Sequence, residues 1–293
     1  VIKVRVPGTS ANLGPGFDTL GLALSIYSTF SFKKLESGVK MSGCPDKFCN
    51  KENLVYKAFE KTLEILDKKI DGIAIDIDSD IPISRGLGSS SACIVGGVVG
   101  AYLLTETPID LETIFTISTE MEGHPDNVSP AIFGGLTSSI TVGDKSYYMQ
   151  YNIDDRFNFM ALIPNFETST LDARKALPKE LPFGDVTYST SRLGVILKAF
   201  ENYDKSILKI AMDDKIHEPY RKKLIYEFDK VRNICREIDS VCFFISGSGS
   251  TLINIIDNTN NMEKIQKNLS KLKYNWEVRL LNVDKQGLKI YSD

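Results

Sequence analysis

Pro82-Ile83-Ser84-Arg85-Gly86-Leu87-Gly88-Ser89-Ser90-Ser91-Ala92 is the stretch on which the reading of this chain turns. It runs straight into an apolar, helix-compatible run, Cys93 to Leu104, and it follows Ile73-Ala74-Ile75-Asp76-Ile77, which alternates like a half-buried strand. Strand, glycine-serine loop, helix is an order that suits an anion. Backbone N–H groups at a helix N-terminus point outward unpaired and the helix dipole adds positive charge, so a phosphate is held without a permanent cation. Gly86 and Gly88 allow close backbone approach, and Ser89, Ser90 and Ser91 offer hydroxyls to phosphate oxygens or to Mg²⁺. The loop is not a Walker sequence, because no Lys follows the second glycine. Standing alone it reads more plainly as a turn with a serine N-cap.

Composition narrows the partners. The 293 residues, 42% hydrophobic and 25% charged, describe a globular protein of one large domain or two ordinary ones. Thirty-five basic against 38 acidic residues give a net charge of −3 without a run of like charges, which argues against nucleic acid or a membrane surface and for a small-molecule partner. Five cysteines without a repeated spacing fit reduced thiols in a cytoplasm rather than a disulfide framework. Cys44 and Cys49 lack the nearby His or second cysteine pair that a zinc site would need. The apolar run at Cys93–Leu104 is too short and too rich in glycine to span a bilayer, and the first residues lack a signal-peptide h-region. A cytoplasmic location is expected.

Outward from the loop, Ile2 to Val6 alternates as a strand, and Pro7 to Asp18 is too rich in breakers to continue it. Leu20 to Phe32 resumes as strand. Asn53 to Lys69 is an amphipathic helix with Asn53 as a candidate N-cap, and Leu111 to Met121 is another helix. Glu122-Gly123-His124-Pro125-Asp126-Asn127 then packs acid, imidazole and amide into a turn fixed by Gly123 and Pro125. Thr137 to Val142 and Tyr147 to Tyr151 form a hairpin around Gly143-Asp144. Asp154-Asp155 reads as a connection, which divides the chain into 1–155 and 156–293.

The second part has its own pattern. Strands at Phe159–Ile163, Val241–Ile245, Thr251–Ile256 and Trp276–Val283 alternate with helices at Val186–Tyr203, Tyr220–Ile238 and Met262–Leu272, the split βαββαβ order of ferredoxin-like domains. The fold class is therefore α+β.

Three segments, Pro7 to Asp18, Pro82 to Ala92 and Ser246-Gly247-Ser248-Gly249-Ser250, resemble in order and spacing the three motifs of the GHMP kinases, a superfamily of small-molecule kinases. The wording Thr9 to Asp18 and Glu122 to Val128 is similar to the homoserine kinase family within it. The resemblance covers nearly the whole chain. It implies a ribosomal-protein-like N-terminal domain, a ferredoxin-like C-terminal domain, and transfer of the γ-phosphoryl of MgATP to the side-chain hydroxyl of L-homoserine, on the route to threonine. A homodimer is a candidate assembly.

The resemblance also implies roles. Pro82, Ile83, Ser84, Arg85, Gly86, Leu87, Gly88, Ser89, Ser90, Ser91 and Ala92 cradle the ATP phosphates, and Asn53 contacts the adenine. Ser90 and Glu122 hold Mg²⁺, with Glu120 a rival. Homoserine is a zwitterion with a terminal hydroxyl, so its pocket needs cations, an anion and a polar group. Arg174 and Arg221 match the carboxylate clamp, Asp18 the ammonium partner, Asn12 the hydroxyl contact, and His124 and Thr170 the lining. Several relatives carry a catalytic Asp where Asn127 stands here, so the hydroxyl is expected to attack directly, oriented by Asn12 and Asn127, with Asp126 as the alternative base. A mevalonate-type kinase would leave Asp18 without a partner, and a non-catalytic nucleotide-binding protein would not need the paired arginines.

Overall fold

The computed structural model describes residues 1–292. The first sheet contains β1 (Ile2–Asn12), β2 (Gly16–Leu35), β3 (Gly38–Ser42), β4 (Gly72–Ser79), β5 (Leu136–Val142) and β6 (Lys145–Tyr151), with α1 (Leu54–Ile65), α2 (Ser89–Leu104), α3 (Leu111–Glu122) and α4 (Val128–Phe133) between them in the chain. The twenty-residue β2 organises this sheet, pairing with β1 along one edge and, on the other, with β5 at Leu20–Leu22 and with β4 at Ser28–Leu35.

The second sheet takes β7 (Asn158–Pro164), β8 (Cys242–Ile245), β9 (Leu252–Ile256) and β10 (Trp276–Leu281) in the order β10-β7-β9-β8, every neighbour antiparallel. Its helices are α5 (Thr170–Lys175), α6 (Phe183–Thr190), α7 (Leu193–Asn202), α8 (Lys205–Ala211), α9 (Glu218–Arg221), α10 (Phe228–Ile238) and α11 (Met262–Leu269). A last strand, β11 (Lys289–Ser292), returns to the first sheet and pairs with β1. The α+β class and the split βαββαβ order are as expected from the sequence.

α2 is apolar on every side, and twelve of its sixteen residues are buried, because it lies between the first sheet and the helices α1 and α3. A Cβ at Gly96 or Gly100 would lie 2.3 and 2.5 Å from the rings of Phe30 and Phe32, so these glycines let the helix lie directly on β2. The glycines that interrupt the run therefore set packing distance. Asn53 caps α1, its Oδ1 accepting from Val55 N at 3.0 Å.

Two expectations fail. The breakers after Val6 do not end the first strand, which runs on to Asn12 because bulges at Pro7/Gly8 and Ala11/Asn12 absorb the proline and shift the register. The two long C-terminal helices are each divided. Val186–Tyr203 breaks between Thr190 and Leu193, and Tyr220–Ile238 becomes α9, a short turn at Lys222–Leu224, and α10. The second break is pinned by Glu227 at φ 59°, whose carboxylate accepts from the N–H groups of Lys273 and Tyr274.

Candidate active site

Three distant segments lock together at the N-terminus of α2. Thr9 N donates to Leu87 O at 3.0 Å, Gly247 N to Ala11 O at 3.0 Å, and Thr251 N to Arg85 O at 2.9 Å. Ser246 Oγ sits 2.8 Å from Ser10 Oγ and donates to Gly86 O at 2.6 Å. Gly86 and Gly88 have φ of 76° and 71°, and a Cβ on either would collide with Ser246 O at 2.2 Å or Thr9 Oγ1 at 2.0 Å. The loop is thus held in shape by its neighbours.

Around it lies a cavity of about 320 Å³. From the 82–92 stretch, Ser84, Gly86, Gly88, Ser89 and Ser90 line it. Leu87 and Ala92 instead enter the core, and Arg85 turns away, donating to Pro164 O and pairing with Glu167 at 3.3 Å. Ser90 and Ser91 both donate to Glu122 Oε1, at 2.6 and 2.8 Å. Glu120, the rival carboxylate, is exposed and faces a surface hollow with Lys57 and Lys61.

The rest of the lining is polar and of both signs. Asn12, in the left-handed region at φ 72°, donates from Nδ2 to Gly247 O at 2.9 Å and accepts from Asp18 N at 2.9 Å. Asp18, at φ 49°, meets Arg174 in a two-pronged ion pair of 3.0 and 3.2 Å. Arg221 is buried, donates to Gly247 O at 2.9 Å and lies over the Phe17 ring. Burial pulls its guanidinium down to about 10, so it remains a cation at neutral pH. His124 Nδ1 is 2.6 Å from buried Asp126. Burial works against the imidazolium, but the Asp126 bond and neighbouring carboxylates outweigh it and raise its pKa. Thr170 shares a 3.3 Å contact with Ser248, both on the cavity wall.

Several supporting residues carry no local sequence signal. Thr9 Oγ1 donates to Asn127 Oδ1 at 2.7 Å, which fixes the amide, its NH₂ having no hydrogen-bond partner among the described residues. Asp214 accepts from the N–H groups of Ile216, His217 and Glu218, anchoring α9 beneath Arg221. His217, fully buried and stacked on Phe17, is pushed by burial down to about 4, so the neutral ring donates from Nε2 to Gly14 O at 2.7 Å. An acid three residues before a His-Glu-Pro helix start is the one trace of this anchor in the sequence.

Glu218 follows His217, and its half-buried carboxylate accepts from Ile245 N at 2.7 Å. Burial raises its pKa from 4.5 to about 8. A carboxyl that binds its proton more tightly when folded loses stability for the protein as pH rises from its unfolded value through its folded one. Glu218→Gln, which keeps the acceptor, is therefore expected to flatten the fall in Tm between pH 5 and pH 8, by on the order of 5 °C at the alkaline end. Thermal unfolding of both proteins across that range checks it, and parallel curves would show that Glu218 ionises normally.

A second cavity of about 350 Å³ adjoins the first through Ser84, Ser89 and Ser90. Its walls are largely apolar, with Phe48, Leu54, Ile81 and Ile83 among them, and Asn53 and Cys44 at one side. A flat aromatic base fits such a space. The Asn53 amide, which caps α1, also donates to Phe48 O at 2.9 Å.

Comparison with known proteins adds the following. Residues 53–135 match the model of the GHMP kinase N-terminal domain and residues 196–275 that of the GHMP kinase C-terminal domain. A homoserine kinase of Clostridium botulinum (strain Langeland / NCTC 10281 / Type F) is 41% identical over 289 residues, 98% of this chain and 97% of that protein. One of Clostridium beijerinckii is 41% identical over 298 residues, 99% and 98% of the two chains. The crystal structure of homoserine kinase from Cytophaga hutchinsonii superposes with a TM-score of 0.87 at 26% identity, covering 99% of this chain and 97% of that one.

Proposed function

The chain belongs to the homoserine kinase family of the GHMP kinases, and from that premise we propose that it transfers the γ-phosphoryl group of ATP to the side-chain hydroxyl of L-homoserine. The observation that carries the substrate is the charge pattern beside the phosphate loop. Asp18 faces two arginines, Arg174 and Arg221, across one small cavity. That is the complement of an α-amino acid zwitterion.

The Asp18–Arg174 pair occupies the place that the zwitterion would take. Both side chains are about a third exposed, at 34% and 40%, so the pair contributes at most about 1 kcal/mol and opens at little cost. The ammonium then meets Asp18 and the carboxylate meets the arginines. Asp18→Asn and Arg174→Ala are each expected to raise KM for L-homoserine by roughly 10–100-fold with a smaller change in kcat. Steady-state kinetics with ATP saturating decides it; a loss confined to kcat would remove both residues from substrate binding.

The adenine would lie in the apolar cavity and the phosphates on the N–H groups of Gly86 to Ser90. Ser90 and Glu122, oxygen donors drawn together beside that loop, fit a hard divalent cation such as Mg²⁺, which takes one or two protein oxygens with phosphate and which, when bound, neutralises charge on the phosphoryl group. Asn12 and the NH₂ of Asn127 orient the attacking hydroxyl. Asp126 engages His124 through Oδ1, and in this reading it orients the imidazole while the alcohol proton passes to phosphate or solvent, as a loose phosphoryl transfer permits; Asp126 as the base is the alternative. A cytoplasmic setting suits an ATP-consuming enzyme with five free thiols.

The test is ADP release with MgATP against L-homoserine, D-homoserine, L-threonine, L-serine and mevalonate, with the product identified by phosphorus NMR. Phosphate on the side-chain oxygen of L-homoserine supports the proposal. Turnover with mevalonate alone would overturn the zwitterion pocket.

A further inference from the structure

We propose that Cys44 and Cys49 form a dithiol modification site, a pair that closes to an intramolecular disulfide in the wall of the base cavity and so alters nucleotide affinity. Their sulfurs lie 3.1 Å apart, and a disulfide at about 2.05 Å requires a movement on the order of 1 Å. The intervening turn holds them face to face, with Phe48 N donating to Pro45 O at 2.7 Å and Cys49 N to Asp46 O at 3.1 Å. Both thiols are half-buried and within reach of a small oxidant. Among the described residues, Cys93, Cys235 and Cys242 have no sulfur within hydrogen-bond distance, and burial raises the pKa of all three. One pair is placed to react.

The chemistry balances with a low-molecular-weight disulfide as oxidant. One cysteine of the pair, as its thiolate, attacks one sulfur of RSSR and expels RS⁻. The other then attacks the protein sulfur of that mixed disulfide, gives its proton to solvent and expels the second RS⁻. Two protein thiols are oxidised by two electrons, and one RSSR becomes two RSH. Burial and the neighbouring Cys49 push the Cys44 thiol up to about 11, so Cys44 carries its proton at neutral pH.

The link to nucleotide is spatial. Cys44 lines the base cavity, its sulfur 3.8 Å from Asn53 Nδ2, and the same Nδ2 donates to Phe48 O inside the turn between the cysteines. Drawing the sulfurs together moves the wall that the base would touch. This half rests on the kinase reading; the disulfide itself does not.

The experiment equilibrates the native chain with graded ratios of oxidised to reduced glutathione, with and without ATP, and reads intact mass and ATP affinity. The expected product has lost two hydrogen atoms, mapped to the peptide holding both cysteines. Cys44→Ser and Cys49→Ser each abolish it, leaving at most a single glutathione adduct on the remaining cysteine because nothing resolves it. Oxidised and reduced protein should differ about fivefold or more in ATP affinity, and ATP should shift the oxidation midpoint by the same factor, since coupling is reciprocal. Two glutathione adducts, or no mass change, would overturn the site. A disulfide that leaves ATP affinity unchanged would overturn the coupling, and a protein that binds no ATP in either state would count against the kinase reading while the mass result still decides the disulfide.

Discussion

Glu122→Gln is expected to lower kcat by roughly a thousandfold, the scale of losing one electrostatic contact to a transition state, while the fold survives. Glutamine keeps an oxygen in place to accept from Ser90 and Ser91, so the two hydroxyls stay where they are and only the negative charge is removed. The variant therefore separates charge from geometry at the carboxylate that holds Ser90 and Ser91. Initial-rate kinetics with thermal unfolding as a control gives the answer. A fall of only a few-fold would reduce Glu122 to an organiser of serines, and Glu120→Gln, on the exposed face, should change neither measurement.

Gly86→Ala is expected to destabilise the protein by roughly 2–5 kcal/mol and to abolish nucleotide binding. The left-handed backbone costs about 1–2 kcal/mol for a residue with a Cβ, and overpacking about 1–3 more, because the new carbon would sit 2.2 Å from Ser246 O and 2.7 Å from Gly249 O, both backbone. Gly123→Ala is the reference. It has φ 88° but open space around it, so only the conformational part applies. A denaturant titration in which both variants lost the same stability would show that Gly86 is needed for its backbone angle alone and that the contact with the 246–250 loop yields.

The local features were legible because their causes are local. Small residues before an apolar run announced the loop and α2, alternation announced β4 and the β5–β6 hairpin, and Asn53 was readable as a cap. The course of β1 through Pro7 was not, since its two bulges depend on the partner strand. Nor was the division of the 220–238 segment, which is pinned by N–H groups more than forty residues away at Lys273 and Tyr274. Asn12, Asp18, His124, Thr170, Arg174 and Arg221 were singled out through motif resemblance and stand around one cavity. That Asp18 and Arg174 hold each other, that Thr9 sets the Asn127 amide, and that His217 reaches back to the Gly14 carbonyl are facts of tertiary distance that no spacing encodes.

The lock between the 9–12, 85–88 and 246–251 segments also bears on how the protein comes into being. Its bonds join residues 160 and 236 positions apart, so their loop-closure entropy is recovered only when both sheets are already in place. Closure of the loop proposed to hold the ATP phosphates is accordingly expected late in folding. A half-folded chain has no shaped loop in which ATP could be spent on water, and catalytic competence arrives with completion of the fold rather than with either half.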